Sequence, residues 1–307
     1  MYHFLIIPDT QYMAKNHPDI FLNMTKTINH YCKDHPIDAV IQLGDIVDGG
    51  GQAKNEFDTA KECFQLLDDA GIPLIFAAGN HDYDQVIGIG LTHPNPEEEG
   101  RNLSVYNHYF GYDRLKRKDW YISSYEKNRA ENSYYKIRDL IILVLEFAPR
   151  DNVLDWAHQV LTNYPNKKCI LITHSYMYHD GKRTSSHSEH NPIHSPETKD
   201  GNDGEMIWQK FISKQSNIIA VFSGHHVPKN ISYRVDKTDK GNVVLQSFQN
   251  WQEEKYGGAG RMRLVQYDSK LDSFTLSVFN PLTKEFEHGK DYDLNIKLGG
   301  GERFLID

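Results

Sequence analysis

Along the first two thirds of the chain, short apolar runs trade places with stretches of helical spacing. HFLII (3–7) predicts a buried strand. Asp19 is placed to cap the helix that follows, on which Ile20, Phe21, Met24, Ile28, Tyr31 and Cys32 fall on one face. AVIQL (39–43) predicts a second strand. Between Ala53 and Ala70, Phe57, Ala60, Phe64 and Leu67 recur at helical spacing, and Gly71 ends the helix. Further strands are predicted at PLIFAA (73–78), LIILVLEF (140–147), KCILIT (168–173) and IIAVF (218–222). Helices are predicted around VLDWAHQVL (153–161) and EMIWQKFI (205–212). From about residue 231 the character changes: ISYRV, NVVLQSF, MRLVQY and SFTLSVF are short strands parted by DKGN and DSKLD, with no helix between them. The expectation is one α/β domain over residues 1–307 that finishes in an antiparallel meander. Residues 83–131 and 175–204 show no clear period and read as irregular insertions, of the kind that cover sites or stay disordered.

The polar residues gain meaning from where the apolar runs stop. Five predicted strands end in Asp9, Asp45, the pair Asn80 and His81, His174, and His225. In open α/β sheets, ligands bind beyond the carboxyl ends of strands. Each residue alone would pass for a cap or a turn former; their recurrence at strand after strand does not. The set is hard to borderline in donor character and lacks thiolates, which suits Mn, Fe, Zn, Ni or Mg better than a structural thiolate zinc site. In DTQ (9–11) an extended backbone would put Asp9 and Gln11 on one side, within reach of one ion. GDIVD (44–48) opens with a glycine that admits close backbone approach, and its Asp45 can bridge two cations. GNHD (79–82) offers the Asn80 amide oxygen, the titratable His81, and Asp82 to orient that imidazole.

In this order and spacing, DTQ, GDIVD, GNHD, THS and GHHV resemble the motifs DxH, GDxxD, GNH[DE], a lone His after a strand, and GHxH of the calcineurin-like metallophosphoesterases. GDIVD together with GNHD is the specific part of the likeness. TQYM and LEFAPRD (145–151) look like a bacterial branch of that family, with DTQ in place of DxH. The resemblance implies a four-layer α/β/β/α sandwich of two mixed sheets with flanking helices, the meander supplying strands to the second sheet. It implies a dinuclear site: Asp9 and Gln11 on the first metal, Asp45 bridging, and Asn80, His174 and His225 on the second. His81 would protonate the leaving oxygen, with Asp82 behind it. The function implied is hydrolysis of phosphate mono- or diesters by two metal ions.

Two positions depart from the pattern. Gln11 stands where the family has histidine, a neutral and harder donor. Val227 stands where GHxH has its second histidine, and His226 comes one residue early. In an extended chain that shift turns a side chain to the opposite face. His226 is therefore either a substitute ligand for the first metal or a group behind the ligands or facing substrate. A fold kept as a binding module or scaffold after losing turnover is the alternative function, and a nuclease a further one.

The remaining features narrow the choice. The formal net charge of −8 argues against wrapping nucleic acid, and RLKRKDW (114–120) reads as a solvated loop. The partner expected is a phosphorylated small molecule or ester. No apolar run approaches the ~18 residues of a membrane span. MYHFLIIPDTQ carries no basic leader, and three unpaired cysteines read as reduced, so the cytoplasm is the default location, although a leader removed earlier would leave the same sequence. HSYMYHDGKRTSSHSEHNPIH (174–194) reads as a flexible lid rather than a third metal site, since Pro192 interrupts helical geometry among His187, His190 and His194. Its Lys182 and Arg183 read as solvated surface. GGAGR (257–261) reads as a hairpin turn, Trp120, Tyr121 and Tyr125 as packing, and Tyr12 as a pocket residue.

Overall fold

The computed structural model describes residues 1–86, 100–227 and 229–299. The first sheet has the order β13-β12-β11-β1-β2-β3, with β14 also pairing β12. Its strands are β1 (Tyr2–Ile7), β2 (Ala39–Gln42), β3 (Leu74–Phe76), β11 (Met262–Asp268), β12 (Ser273–Asn280), β13 (Glu285–Glu287) and β14 (Leu294–Lys297). The second sheet has the order β4-β5-β6-β7-β8-β10-β9. It comprises β4 (Tyr121–Ser124), β5 (Ser133–Ile137), β6 (Leu140–Leu145), β7 (Cys169–Thr173), β8 (Ile218–Ser223), β9 (Ile231–Lys237) and β10 (Val243–Gln249).

Alternation along the strands builds the layers. Phe4 and Ile6 of β1 face Ile142, Val144, Ile170 and Phe222 of the other sheet, in the core between the two. Leu5 and Ile7 face outward onto helices α2 (Pro18–Asp34) and α3 (Lys54–Asp69), meeting Phe21, Met24, Phe57 and Phe64. In the second sheet, Ile141, Leu143 and Leu145 turn away from the interlayer and pack on Val153, Leu154, Ala157 and Ile207 of helices Asp151–Thr162 and Gly204–Lys210. The result is the expected α/β/β/α sandwich, and each fully buried Ile, Leu or Phe contributes about 1.5–3 kcal/mol.

Local departures have local causes. The helix expected after Asp19 starts at Pro18, because proline has its φ preset and no N–H to lose at a first helical position. Asp19 lies in the first turn instead, where its charge suits the helix dipole. The described part of 83–131 is not irregular: it holds helices Ser104–Phe110 and Tyr112–Leu115 and strand β4. Residues 87–99 of that insertion, with most of PNPEEEG, lie outside the described residues. Residues 175–204 do lack long elements. The C-terminal strands are shared out rather than forming one meander: β9 and β10 extend the second sheet, whereas β11 and β12 complete the first. GGAGR is accordingly no hairpin turn; it ends the crossing from one sheet to the other. Arg183 is not surface either. It is buried over the Trp208 ring and bonded to Glu205 and Asp236. Trp120 and Tyr125 pack on Tyr135 and Trp156, as packing residues would. Among the described residues no helix is long and apolar enough to cross a membrane.

Strands β1, β2 and β3 run parallel, as do β6, β7 and β8. The carboxyl ends of each set carry the polar residues singled out above.

Candidate metal centre

Pro8 follows β1, and Asp9 stands just beyond it. Thr10 then takes φ −107° and ψ 1°, and Gln11 opens the short helix α1 (Gln11–Asn16). The extended geometry expected for DTQ is therefore absent, yet Gln11 stays at the site. It is buried, its Nε2 donates to Asp48 Oδ1 (3.2 Å), and its Oε1 is buried with no hydrogen-bond partner. Asn80 opens a single 3₁₀ turn (Asn80–Asp82), and its Oδ1 is likewise buried and unpartnered. A buried acceptor without a donor costs about 1–3 kcal/mol. Both of these amide oxygens stand at predicted ligand positions.

Asp45 sits at a left-handed φ of 50°. Its Oδ1 accepts the His81 N–H (2.8 Å), and its Oδ2 lies 3.0 Å from His174 Nε2. Gly44 makes room for that meeting: a Cβ there would lie 2.7 Å from His174 Nδ1, at a φ of 101° that side chains avoid. His174 Nδ1 faces the Leu43 carbonyl at 2.8 Å, an atom that only accepts, so Nδ1 carries hydrogen and Nε2 is turned to the centre. His225 Nδ1 stands 3.2 Å from that Nε2. One ligand atom from each of Asp45, His174 and His225 lies within 4.8 Å of the others. Among the described residues this is the one such group of three or more His, Cys, Asp or Glu.

Acceptors this close need a proton or a cation between them. Burial pulls the His174 imidazole down, but Asp45 and Asp9 overcome it and raise the ring to about 9. Burial, with His174 next in effect, drives His225 down to about 3, which keeps its lone pair free. Burial alone would raise Asp45; His174 and His81 instead hold it well below the usual carboxylate range. Asp9 is pushed up to about 7 by burial, against the pull of His174 and with the help of Asp45. These carboxylates, imidazoles and orphaned amide oxygens fit divalent cations of hard to borderline character.

One expected role, that of Asp82, is corrected by the geometry. Asp82 does not touch His81. It is fully buried, with Oδ1 accepting the N–H groups of Ile46 (2.9 Å) and Val47 (3.3 Å) and Oδ2 that of Gly79 (2.8 Å). The partner of His81 is Asp48, whose carbonyl oxygen lies 2.7 Å from Nδ1 and whose Oδ1 lies 3.6 Å away. A 3₁₀ turn points successive side chains in different directions, so sequence adjacency misled here. His226 is not brought into the group of Asp45, His174 and His225. His225 has a φ of 79°, which bends the chain, and the 2 %-exposed His226 turns to Ser175 Oγ, 3.1 Å from its Nε2. Its ring packs between His225 (4.5 Å) and Tyr178 (4.7 Å). Tyr12 is half-buried on α1; burial and then Glu253 and Asp48 raise its hydroxyl.

Sequence reasoning gave no role to Asp48, Lys15 or Asn250. Asp48 was in view as the second acid of GDIVD, and Lys15, one helical turn from Gln11, pairs with its Oδ2 at 2.5 Å. Asn250 donates to Asp9 Oδ2 at 2.9 Å and follows a strand like the other site residues.

A family model of calcineurin-like phosphoesterases matches residues 2–229. The chain belongs to that family. It is 30% identical over 291 residues to the uncharacterized protein YvnB of Bacillus subtilis strain 168, an alignment covering 93% of this chain and 20% of YvnB. This chain thus spans a fifth of that relative's length. Its fold is similar to that of a dimetal phosphatase from Danio rerio, with a TM-score of 0.57, 12% identity, and coverage of 97% of this chain and 99% of the other. It is also similar to the purple acid phosphatase PPD1 from yellow lupin seeds, with a TM-score of 0.55, 12% identity, and coverage of 96% and 53% respectively. At these identities the likeness is one of fold.

Proposed function

We propose that this chain hydrolyses phosphate mono- or diesters at a dinuclear metal centre, with a phosphorylated small molecule or ester as substrate. Asp9, Gln11 and Asp45 would hold one cation, and Asp45, Asn80, His174 and His225 the other. When bound, the cations would supply a water of lowered pKa and neutralise charge gathering on the phosphoryl oxygens. The chain's own part is to set the donors and to handle a proton. His81 is held through Nδ1 by the Asp48 carbonyl, which leaves Nε2 to donate to a leaving oxygen. Burial lowers its pKa, but Asp45 and the Asp48 carbonyl reverse the shift, so His81 carries its proton to higher pH than an ordinary histidine. Asp82 keeps the GDIVD and GNHD turns in register through the backbone. The observation that carries the reading is the pair of buried, partnerless oxygens on Gln11 and Asn80 beside the Asp45, His174 and His225 cluster.

The test is metal analysis of protein purified without chelator, with hydrolysis of p-nitrophenyl phosphate and bis-p-nitrophenyl phosphate under added manganese. Two metals per chain and turnover of either ester support the proposal. A second reading, a metal-binding module without turnover, is favoured by His226 turning to Ser175 and by Val227 offering no ligand. One metal per chain and no hydrolysis at saturating manganese would select it.

A further inference from the structure

We infer that Asn250 is a positioning residue for the first metal site, fixing the Asp9 carboxylate in place where this chain lacks the second histidine of GHxH. The inference rests on the dinuclear reading above. Asn250 is 1 % exposed and stands directly after β10. Strands β10 and β8 are parallel with Phe248 opposite Ser223, so Asn250 emerges beside His225. Its amide has one orientation. Oδ1 accepts the Gln252 N–H at 3.0 Å, which turns Nδ2 toward Asp9 Oδ2 at 2.9 Å. Its own N–H donates to the Asn230 carbonyl (2.8 Å), so the residue is held from both sides.

Asn250 therefore offers Asp9 a donor and is no ligand itself. Asp9 comes from the first sheet, and its donors come from two neighbouring strand ends of the second. The His225 N–H reaches both of its oxygens (3.2 and 3.1 Å), and Asn250 reaches Oδ2. A carboxylate has about four lone-pair directions. With some taken by fixed donors, the rest are held in one orientation for a cation. Gln11 is a neutral donor and Val227 is none, so the first site depends on Asp9 more than a site with two histidines would. Hydrogen-bond partners behind a ligand are typically worth ~10–100-fold in metal affinity.

The experiment is calorimetric titration of metal-free protein with Mn²⁺, comparing wild type, Asn250→Ala, Asp9→Ala and the double variant, each with its metal-free melting temperature. The expected result is two Mn²⁺ sites in the wild type, of which Asn250→Ala weakens one by ~10–100-fold and spares the other. Its metal-free melting temperature should match the wild type, and the double variant should bind as Asp9→Ala alone does. If Asn250→Ala fails to fold, Asn250→Leu keeps the branched shape and removes the amide. Wild-type affinity at both sites, or equal weakening of both with a lowered melting temperature, overturns the inference while the dinuclear reading stands. A wild type that binds no Mn²⁺ overturns both.

Discussion

Asp82 offers the sharpest contrast between what its position in GNHD suggests and what its contacts do. If it oriented His81, Asp82→Asn would lower turnover and leave the fold alone. The structure predicts the reverse. Three backbone N–H groups from two turns end on this one fully buried carboxylate. Hydrogen bonds to a charged acceptor are worth about 1.5–3 kcal/mol each, and buried donors left without an acceptor cost about 1–3 kcal/mol. Because the three share one acceptor they do not add, and a loss of about 1–3 kcal/mol is expected for Asp82→Ala from the N–H groups left without an acceptor. At roughly 2 °C per kcal/mol for a chain of this size, that is a fall of about 2–6 °C in melting temperature. Asp82→Asn should lose less, since its remaining oxygen still serves Ile46 and Val47 while its NH₂ meets the Gly79 N–H. Calorimetric or fluorescence melts at pH 5 and pH 8 measure this: burial and then Asp45 push the carboxyl up to about 7, so the stability it brings is lost as pH rises toward that value, and the deficit of the variant should be larger at pH 5. A melting temperature unchanged in Asp82→Ala, with activity lost, would refute the assignment and return Asp82 to His81.

Other perturbations test the neighbours. Asp48→Asn removes the charge 3.6 Å from His81 Nδ1. Since Asp48 raises the His81 pKa, the variant should lose its proton at lower pH, and the alkaline fall of the pH–rate profile should move to lower pH. Gln11→Ala and Asn80→Ala each remove one partnerless oxygen, and elemental analysis should find about one metal fewer in each. His226→Ala should leave metal content at the wild-type value, since its Nε2 faces Ser175. Gly224→Ala would set a methyl group against Asp9 Oδ1 and should cost metal binding at the first site in a Mn²⁺ titration.

Much of the site was legible because ligands follow buried strands, and an apolar run that stops at Asp or His shows in one dimension. Of the residues placed by that pattern, Asp45, His174 and His225 lie together, and Asp9 accepts the His225 N–H. What the pattern hides is direction. Parity arguments hold in extended chain, and the chain is not extended at Thr10, Asp45 or His225. For this reason Gln11 was placed by a geometry it does not have, and Asp82 was given the partner that belongs to Asp48. Strand β5 escaped notice because its inward positions are Ser133, Tyr135 and Ile137, with too little polar contrast to mark a period. The division of the last strands between two sheets was invisible for a different reason. Pairing partners are chosen by tertiary packing, and β10 and β11 look alike in sequence while lying in different layers.

That division has a consequence for the order in which the molecule is made. Strand β1, which delivers Asp9, is flanked by β2 on one side and by β11 on the other, with Leu5 opposite Leu264. A nascent chain carrying everything through GHHV would hold every proposed ligand and still expose one whole edge of its central strand. The long wait for residues 262–268 is a loop closure of high contact order, the slow class of folding step. Until then the edge is open to the wrong partner. Strand β1, which precedes these strands in sequence, is thus among the last of them to be secured, and a cation that its Asp9 would help to hold becomes a late reporter of folding.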